Sequence, residues 1–426
     1  MKYAYTNGYI LTGEKDMTPI AGQVILTDGE LITDIVPEGA DLTGYEVIDL
    51  NKGYIMPGLI NLHVHLPASG KPKKKPTDNK KLVHLITSTA LTRKILMKMC
   101  AGYAKTELFS GVTTLRAVGG VLDSDAKTRD FIAEGKLVGP RILAANMAVS
   151  VPGGHMAGSL AYEAHSPEEA KNFVRKIAEG KPDLIKLMIT GGVLDATVKG
   201  EPGELKMAPE LVKAACDEAH SLGLKVAAHV ESPEGIRVAL KNGVDSIEHG
   251  AKTDDEIISL FKEKNACLVA TLSPALPYAL FDREISYASE LSQFNGNVVF
   301  EGIIDCAKNC MAHDIPVGLG TDTGCPFITH DGMWREVQLF HKYCGVSNAY
   351  ALYSATKGNA DIVGLGDVTG TIAKGKCADM IVSKGNPLDD LCTLRDLSMV
   401  VTRGRVYKNP KLKKSELVER EMDKFM

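Results

Sequence analysis

His63 and His65 stand two residues apart in Pro-Gly-Leu-Ile-Asn-Leu-His-Val-His, residues 57–65. On an extended strand that spacing puts both imidazoles on one face, where their ring nitrogens can share a cation. Lys186, His229, His249 and Asp322 each end a later apolar run. Imidazole nitrogen and carboxylate oxygen suit zinc, and also manganese, iron or nickel, so the set names a class of metals with zinc as the default. Lys186 is the odd member, because a protonated ammonium has no lone pair to give a cation. It must be neutral or chemically modified to take part. Taken alone, the lysine reads as an ion-pair residue, Asp322 as a capping aspartate in Thr-Asp-Thr-Gly, and the two histidines as satisfied structural groups. Together they read as a binuclear metal centre, since six polar groups facing one mouth need partners.

The elements that must position these residues repeat a simple pattern. Short apolar runs at 60–66, 112–117, 141–148, 184–189, 225–230, 246–249, 267–272 and 316–320 read as buried parallel strands. Helices fall between them: Ser166-Pro-Glu-Glu, Ala208-Pro-Glu and Ser232-Pro-Glu each open one with a proline at the first turn. No glycine-rich dinucleotide loop appears, so the alternation predicts an α/β protein with a (β/α)8 TIM barrel over residues 57–361. In such a barrel the carboxyl ends of the strands converge. The first strand supplies His63 and His65, the fourth Lys186, the fifth His229, the sixth His249 and the eighth Asp322. Residues 1–56 and 362–410 carry alternating runs and turns such as Asp28-Gly29, and are predicted to pair into a small β-sandwich. The charged tail, 411–426, reads as a terminal brace or a partner contact.

Composition bounds the partners. A chain of 426 residues, 44% of them hydrophobic, buries a large core, and a net charge of -4 offers no field to gather nucleic acid or an anionic membrane. No stretch is long and apolar enough to span a bilayer, and the start, Met-Lys-Tyr-Ala-Tyr-Thr-Asn-Gly, lacks a secretory core, so the expected location is the cytoplasm. Nine cysteines without a Cys-x-x-Cys pair read as reduced thiols, the one-turn spacing of Cys306 and Cys310 being coincidence. One charge run, 70–81, follows the first strand. It reads as a solvated loop, or as a lid bringing Lys73, Lys74 or Lys75 to an anionic group.

Pro-Gly-Leu-Ile-Asn-Leu-His-Val-His, Ile-Lys-Leu-Met, Ala-Ala-His-Val, Ser-Ile-Glu-His-Gly and Gly-Leu-Gly-Thr-Asp-Thr-Gly resemble the metal-ligand motifs of the amidohydrolase superfamily, closest to its prolidase-like branch. The likeness extends to Gly-Thr-Ile-Ala-Lys-Gly-Lys-Cys-Ala-Asp-Met-Ile-Val (370–382) and to Gly385-Asn-Pro-Leu-Asp. It implies two divalent ions, one held by His63, His65 and Asp322, the other by His229 and His249, with a carboxylated Lys186 bridging them. A carbamate is an anionic oxygen ligand, which answers the objection to lysine. The implied reaction is hydrolysis of an amide by metal-activated hydroxide, with Asp322 shuttling the proton to the leaving nitrogen. The implied substrate is a small molecule and the implied assembly a homo-oligomer. His155, in Pro-Gly-Gly-His-Met, resembles the histidine with which this branch touches the substrate carbonyl. His330 is a further candidate for the mouth. His84, His165, His220, His313 and His341 read as surface or packing residues.

Two departures bear on the substrate. Where the branch has His-x-Tyr or His-x-His, this chain has His229-Val-Glu231, which places an acid where a dipeptide carboxylate would need a donor. Where it has Arg-Asp-x-Gly-Gly, this chain has Arg116-Ala-Val-Gly-Gly, leaving Arg116 free to meet an anion. The expectation is therefore an N-acyl amine, N-acyl amino acid, dipeptide or cyclic amide, with the nitrogen-bearing end neutral or cationic near Glu231. An Xaa-Pro dipeptidase, a lactone or cyclic-amide hydrolase and a deaminase share the scaffold, though deaminases lack the fourth-strand lysine. A non-catalytic scaffold relative would have lost ligands, whereas all six positions are filled here.

Overall fold

The computed structural model describes residues 1–72, 74 and 78–426. Lys73 and Lys75 of the expected lid lie outside the described residues, and Lys74 is exposed.

Both chain ends contribute to one pair of packed sheets. Lys2–Thr6, Gln23–Asp28, Leu31–Pro37 and Glu46–Asp49 form a four-stranded sheet; Tyr9–Ile10, Tyr54–Pro57, Met380–Ser383, Met399–Thr402 and Arg405–Lys408 form a five-stranded one. Tyr54–Pro57 pairs antiparallel with Met380–Ser383, which ties the two ends together. Tyr5, Ile25 and Ile48 from the first sheet meet Ile55, Met380 and Val401 from the second in a shared apolar core.

Between these ends the expected parallel strands form, and they are buried on both faces because helices cover them. Every residue of Leu59–Val64, Val112–Ala117 and Leu184–Met188 is buried. The strands make two parallel arcs. Leu59–Val64, Val112–Ala117 and Arg141–Ala144 form the smaller arc. The larger runs in the order Ala161–Glu163, Ala148–Ser150, Leu184–Met188, Lys225–Val230, Ser246–His249, Cys267–Ala270, Val317–Leu319. The arcs meet through an isolated bridge between Val64 and Thr323 and through Asp322 N–H donating to the His63 carbonyl at 2.9 Å. The α/β class is as expected, but the ladders do not close into one continuous ring.

The third strand shows why. It was expected to run unbroken over 141–148, yet it stops at Ala144 and resumes at Ala148. Asn146 between them is left-handed, φ 61°, and its side chain accepts from Ala126 N–H at 3.1 Å and donates to the Gly180 carbonyl at 3.2 Å. An asparagine satisfies such a turn by local hydrogen bonds, which periodicity alone does not reveal.

Helix starts follow their sequence signals: Ser166 and Ser232 accept from the N–H of Glu169 and Gly235, each at 3.2 Å, ahead of prolines at the first turn. The tail forms the helix Glu416–Met422, whose Glu419 pairs with Arg335 and Arg395, so it acts as a brace within the chain. Among the described residues no helix is long and apolar enough to cross a membrane.

Candidate metal centre

The close approach of the last and first parallel strands sets the centre. A Cβ on Gly320 would lie 2.5 Å from that of His63, so only glycine lets the two backbones pass there. Two residues later Asp322 adopts φ 54°, and His249 adopts φ 69° at the end of its own strand. Left-handed backbone at non-glycine residues costs about 1–3 kcal/mol each and clusters at functional sites. His63 and His65 lie with ring centroids 5.4 Å apart, His63 and His249 4.9 Å, and His229 and His249 4.6 Å. Donor atoms of His63, His249 and Asp322 lie within 4.8 Å of one another, as do those of His229, Glu231 and His249.

Each of the four imidazoles commits one ring nitrogen to an outer partner, which turns the other toward the centre. His65 Nδ1–H donates to the Gly119 carbonyl at 2.9 Å and His229 Nε2–H to the Gly191 carbonyl at 3.1 Å. His63 Nδ1–H donates to Glu248 at 2.8 Å, and His249 Nδ1 lies 2.7 Å from the Thr271 hydroxyl. Burial drives His229 and His249 well below the ordinary imidazole range and His63 down to about 4, which favours the neutral form of all three. Burial opposes charge on His65, but the Asp322 carboxylate beside it and the Gly119 carbonyl together outweigh this and raise it.

Three orphaned groups test whether cations fit. Lys186 is fully buried and its Nζ has no hydrogen-bond partner; burial lowers it to about 8, within reach of the neutral amine that reacts with carbon dioxide. Asp322 Oδ1 is buried without a donor, 3.1 Å from His65 Nε2 and 3.5 Å from His63 Nε2. In the neutral tautomers that their outer partners select, those two nitrogens carry lone pairs, so acceptors face an acceptor. Glu231 Oε2 is the third orphan. A buried convergence of acceptors without donors is costly unless cations sit among them. The residues present fit divalent metal.

The residues expected to touch substrate divide. His155 stacks on His229 with ring centroids 4.1 Å apart, and its Nδ1 lies 2.5 Å from Asp195, whose same oxygen accepts from Gly192 N–H at 3.1 Å. Glu231 joins it in the cavity wall. Burial, followed by Asp322 and Asp195, raises the Glu231 carboxyl to about 8. Arg116 does not reach the mouth: it is buried, donates to the Leu62 carbonyl at 2.7 Å and to Glu248 at 2.7 and 2.8 Å, and so has its anion inside the fold. His330 is neither at the mouth nor on the surface. It is buried between Glu107 at 3.1 Å and the Ala68 carbonyl at 2.8 Å, stacked on Tyr103.

Glu248, Thr271 and Asp195 went unread in the sequence. Glu248 is adjacent to a ligand histidine on a fully buried strand, and a buried acid needs a partner; that was the available signal. Thr271 and Asp195 lie in loops and carry none.

Residues 54–408 match the model of the amidohydrolase family. The chain belongs to that family. Among solved structures this amidohydrolase resembles a prolidase-type protein from Bifidobacterium longum, with 34% identity, TM-score 0.87, and 99% of this chain and 98% of that one covered. It also resembles a Xaa-Pro dipeptidase with methionine in its active site, at 29% identity and TM-score 0.83, covering 96% and 100% of the chains. A curated relative is the ochratoxinase of Aspergillus niger, 26% identical over 386 residues, 84% of this chain and 76% of that protein. The family's fold is of TIM-barrel type and its reaction class is hydrolysis at carbon–nitrogen bonds, so the amidohydrolase is an enzyme of that class.

Proposed function

We propose that the protein hydrolyses an amide bond of a small molecule at a binuclear divalent-metal centre, zinc by default, held by His63, His65, Lys186, His229, His249 and Asp322. The single observation that carries this is the orphaned Lys186 Nζ, fully buried among neutral imidazoles and Asp322. Carboxylation would turn it into the anionic bridge that the other ligands lack. When bound, the ions supply Lewis acidity and activate water as a nucleophile.

The chain's own residues do the rest. Asp322 takes the proton of the attacking water on its carboxylate and delivers it to the leaving nitrogen, so that the carbon–nitrogen bond breaks after the carbon–oxygen bond has formed. His155, oriented by Asp195, presents Nε2 toward the carbonyl oxygen. Glu231 faces the nitrogen-bearing end, and an acid in the cavity wall there supports a substrate that is neutral or cationic at that end rather than a free-carboxylate dipeptide.

Protein loaded with zinc or manganese is assayed on N-acyl amines, dipeptides and cyclic amides, with metal content measured on the same samples. Two equivalents of metal and amide hydrolysis support the reading; tight folding with no metal uptake overturns it. Glu231→Gln is expected to change the preference between neutral amides and free-carboxylate dipeptides. An unchanged preference removes Glu231 from recognition.

A further inference from the structure

The cavity above the six ligand residues has two unlike sides. His155 and Glu231, set among Met156, Met188 and Val193, stand on the side of the strands Ala148–Ser150 to Lys225–Val230. Opposite them, following Cys267–Ala270, the wall is apolar: Ala275 and Tyr278 come from the helix Leu272–Leu280, and Val299 and Ile303 from Glu290–Ala312. The two helices touch at Gly296, where a Cβ would lie 2.6 Å from that of Tyr278, so the wall is set by backbone contact.

The approach to the cavity is apolar as well. Leu194 lines the mouth at 64% exposure, with Val198 and Phe294 exposed nearby. Their loop is pinned against the second helix by Gly200 N–H donating to Asn295 at 2.7 Å and by Asn295 donating to the Val198 carbonyl at 3.0 Å. Among the described residues lining the cavity, the only cation apart from imidazoles is Lys186, at its buried floor. A substrate carboxylate on that side would lose hydration and meet no cation to offset the loss.

We propose that the enzyme's substrates are amides with an uncharged, apolar acyl group, seated on the wall of Ala275, Tyr278, Val299 and Ile303, and that Val299 and Ile303 limit its size. This rests on the amide-hydrolase reading above. The nitrogen end then meets the polar side, where a leaving amine can be protonated, and the acyl chain is stripped of water against aliphatic carbon.

The test uses p-nitroanilides of acetic acid, of hexanoic acid and of the adipic half-acid, in which a carboxylate replaces the terminal methyl of the hexanoyl chain. Burial of each methylene is worth roughly fourfold in kcat/KM. We expect hexanoyl to exceed acetyl at least tenfold and the half-acid to fall at least tenfold below hexanoyl. Ile303→Ala, which opens the wall, is expected to move the optimum to longer chains, and Val299→Phe to penalise hexanoyl while sparing acetyl. Equal losses on all substrates, or preference for the half-acid, overturn the proposal. If no anilide is hydrolysed, the hydrolytic reading fails separately. Titration of hexanamide and of adipic monoamide into Asp322→Asn protein still decides the wall: tighter binding of hexanamide supports it, and equal or tighter binding of the half-acid overturns it.

Discussion

His63 donates its Nδ1 proton to Glu248 across 2.8 Å, and Glu248 in turn accepts from both ends of its carboxylate the guanidinium of Arg116. All three are buried. Burial opposes the charge on Glu248, but Arg116 and His63 outweigh it and hold the carboxyl below its usual range. The carboxylate therefore fixes the tautomer and the orientation of an imidazole at the centre. Glu248→Gln is expected to weaken divalent-metal binding about 10- to 100-fold, as loss of an outer partner of a ligand histidine does. Zinc titration against a competing chelator measures it. Glu248→Ala leaves Arg116 buried and unpaired, and is expected to lower unfolding stability by about 3–5 kcal/mol in denaturant titrations.

Arg116 provides the complementary prediction. Its side chain points to Glu248 and the Leu62 carbonyl, not to the cavity. Arg116→Ala should thus lower stability and metal affinity, while KM at saturating metal stays within about twofold of wild type, because uniform substrate binding is untouched. A large rise in KM with full metal occupancy would return Arg116 to substrate recognition.

Lys186 predicts a chemical signature. Protein exposed to 13C-labelled bicarbonate with zinc should show a carbamate carbon resonance that Lys186→Met lacks. Metal uptake should fall when carbon dioxide is excluded during refolding and recover when bicarbonate is added. Recovery without bicarbonate would leave Lys186 an unmodified amine.

The convergence of these residues was legible because strand periodicity decides which side chains share a face. His63 and His65 share a face by spacing alone, and Lys186, His229, His249 and Asp322 each close an apolar run, so chain order implied convergence. What escaped depends on directions that no period encodes. Arg116 ends a strand as the ligands do, yet it turns to a carboxylate inside the fold. His330 lies in a loop near the mouth in sequence but is drawn into a buried pair with Glu107. Asp195 and Thr271 orient ligand-side histidines from loops whose paths are set by tertiary contacts. The break at Asn146 likewise comes from hydrogen bonds to Ala126 and Gly180, both distant in sequence.

Glu336 gives a pH dependence outside the metal centre. It lies on the helix Met333–Cys344 and accepts from the N–H groups of Leu272 at 2.6 Å and Ser273 at 2.9 Å, capping the helix that carries the apolar wall, where Thr271 makes no side-chain cap. Burial nevertheless wins over these bonds and raises its carboxyl from 4.5 to about 7. The folded chain then holds this proton over a pH window in which the unfolded chain has released it. The contribution is full below about 4.5, declines as pH rises, and is gone above about 7, a loss of about 3 kcal/mol for a shift of this size. The difference in unfolding free energy between wild type and Glu336→Gln, measured in denaturant from pH 4.5 to 8, should therefore shrink or reverse as pH rises through that window. A difference that instead stays level from about pH 5 upward would mean that the helix terminus holds Glu336 as an anion throughout.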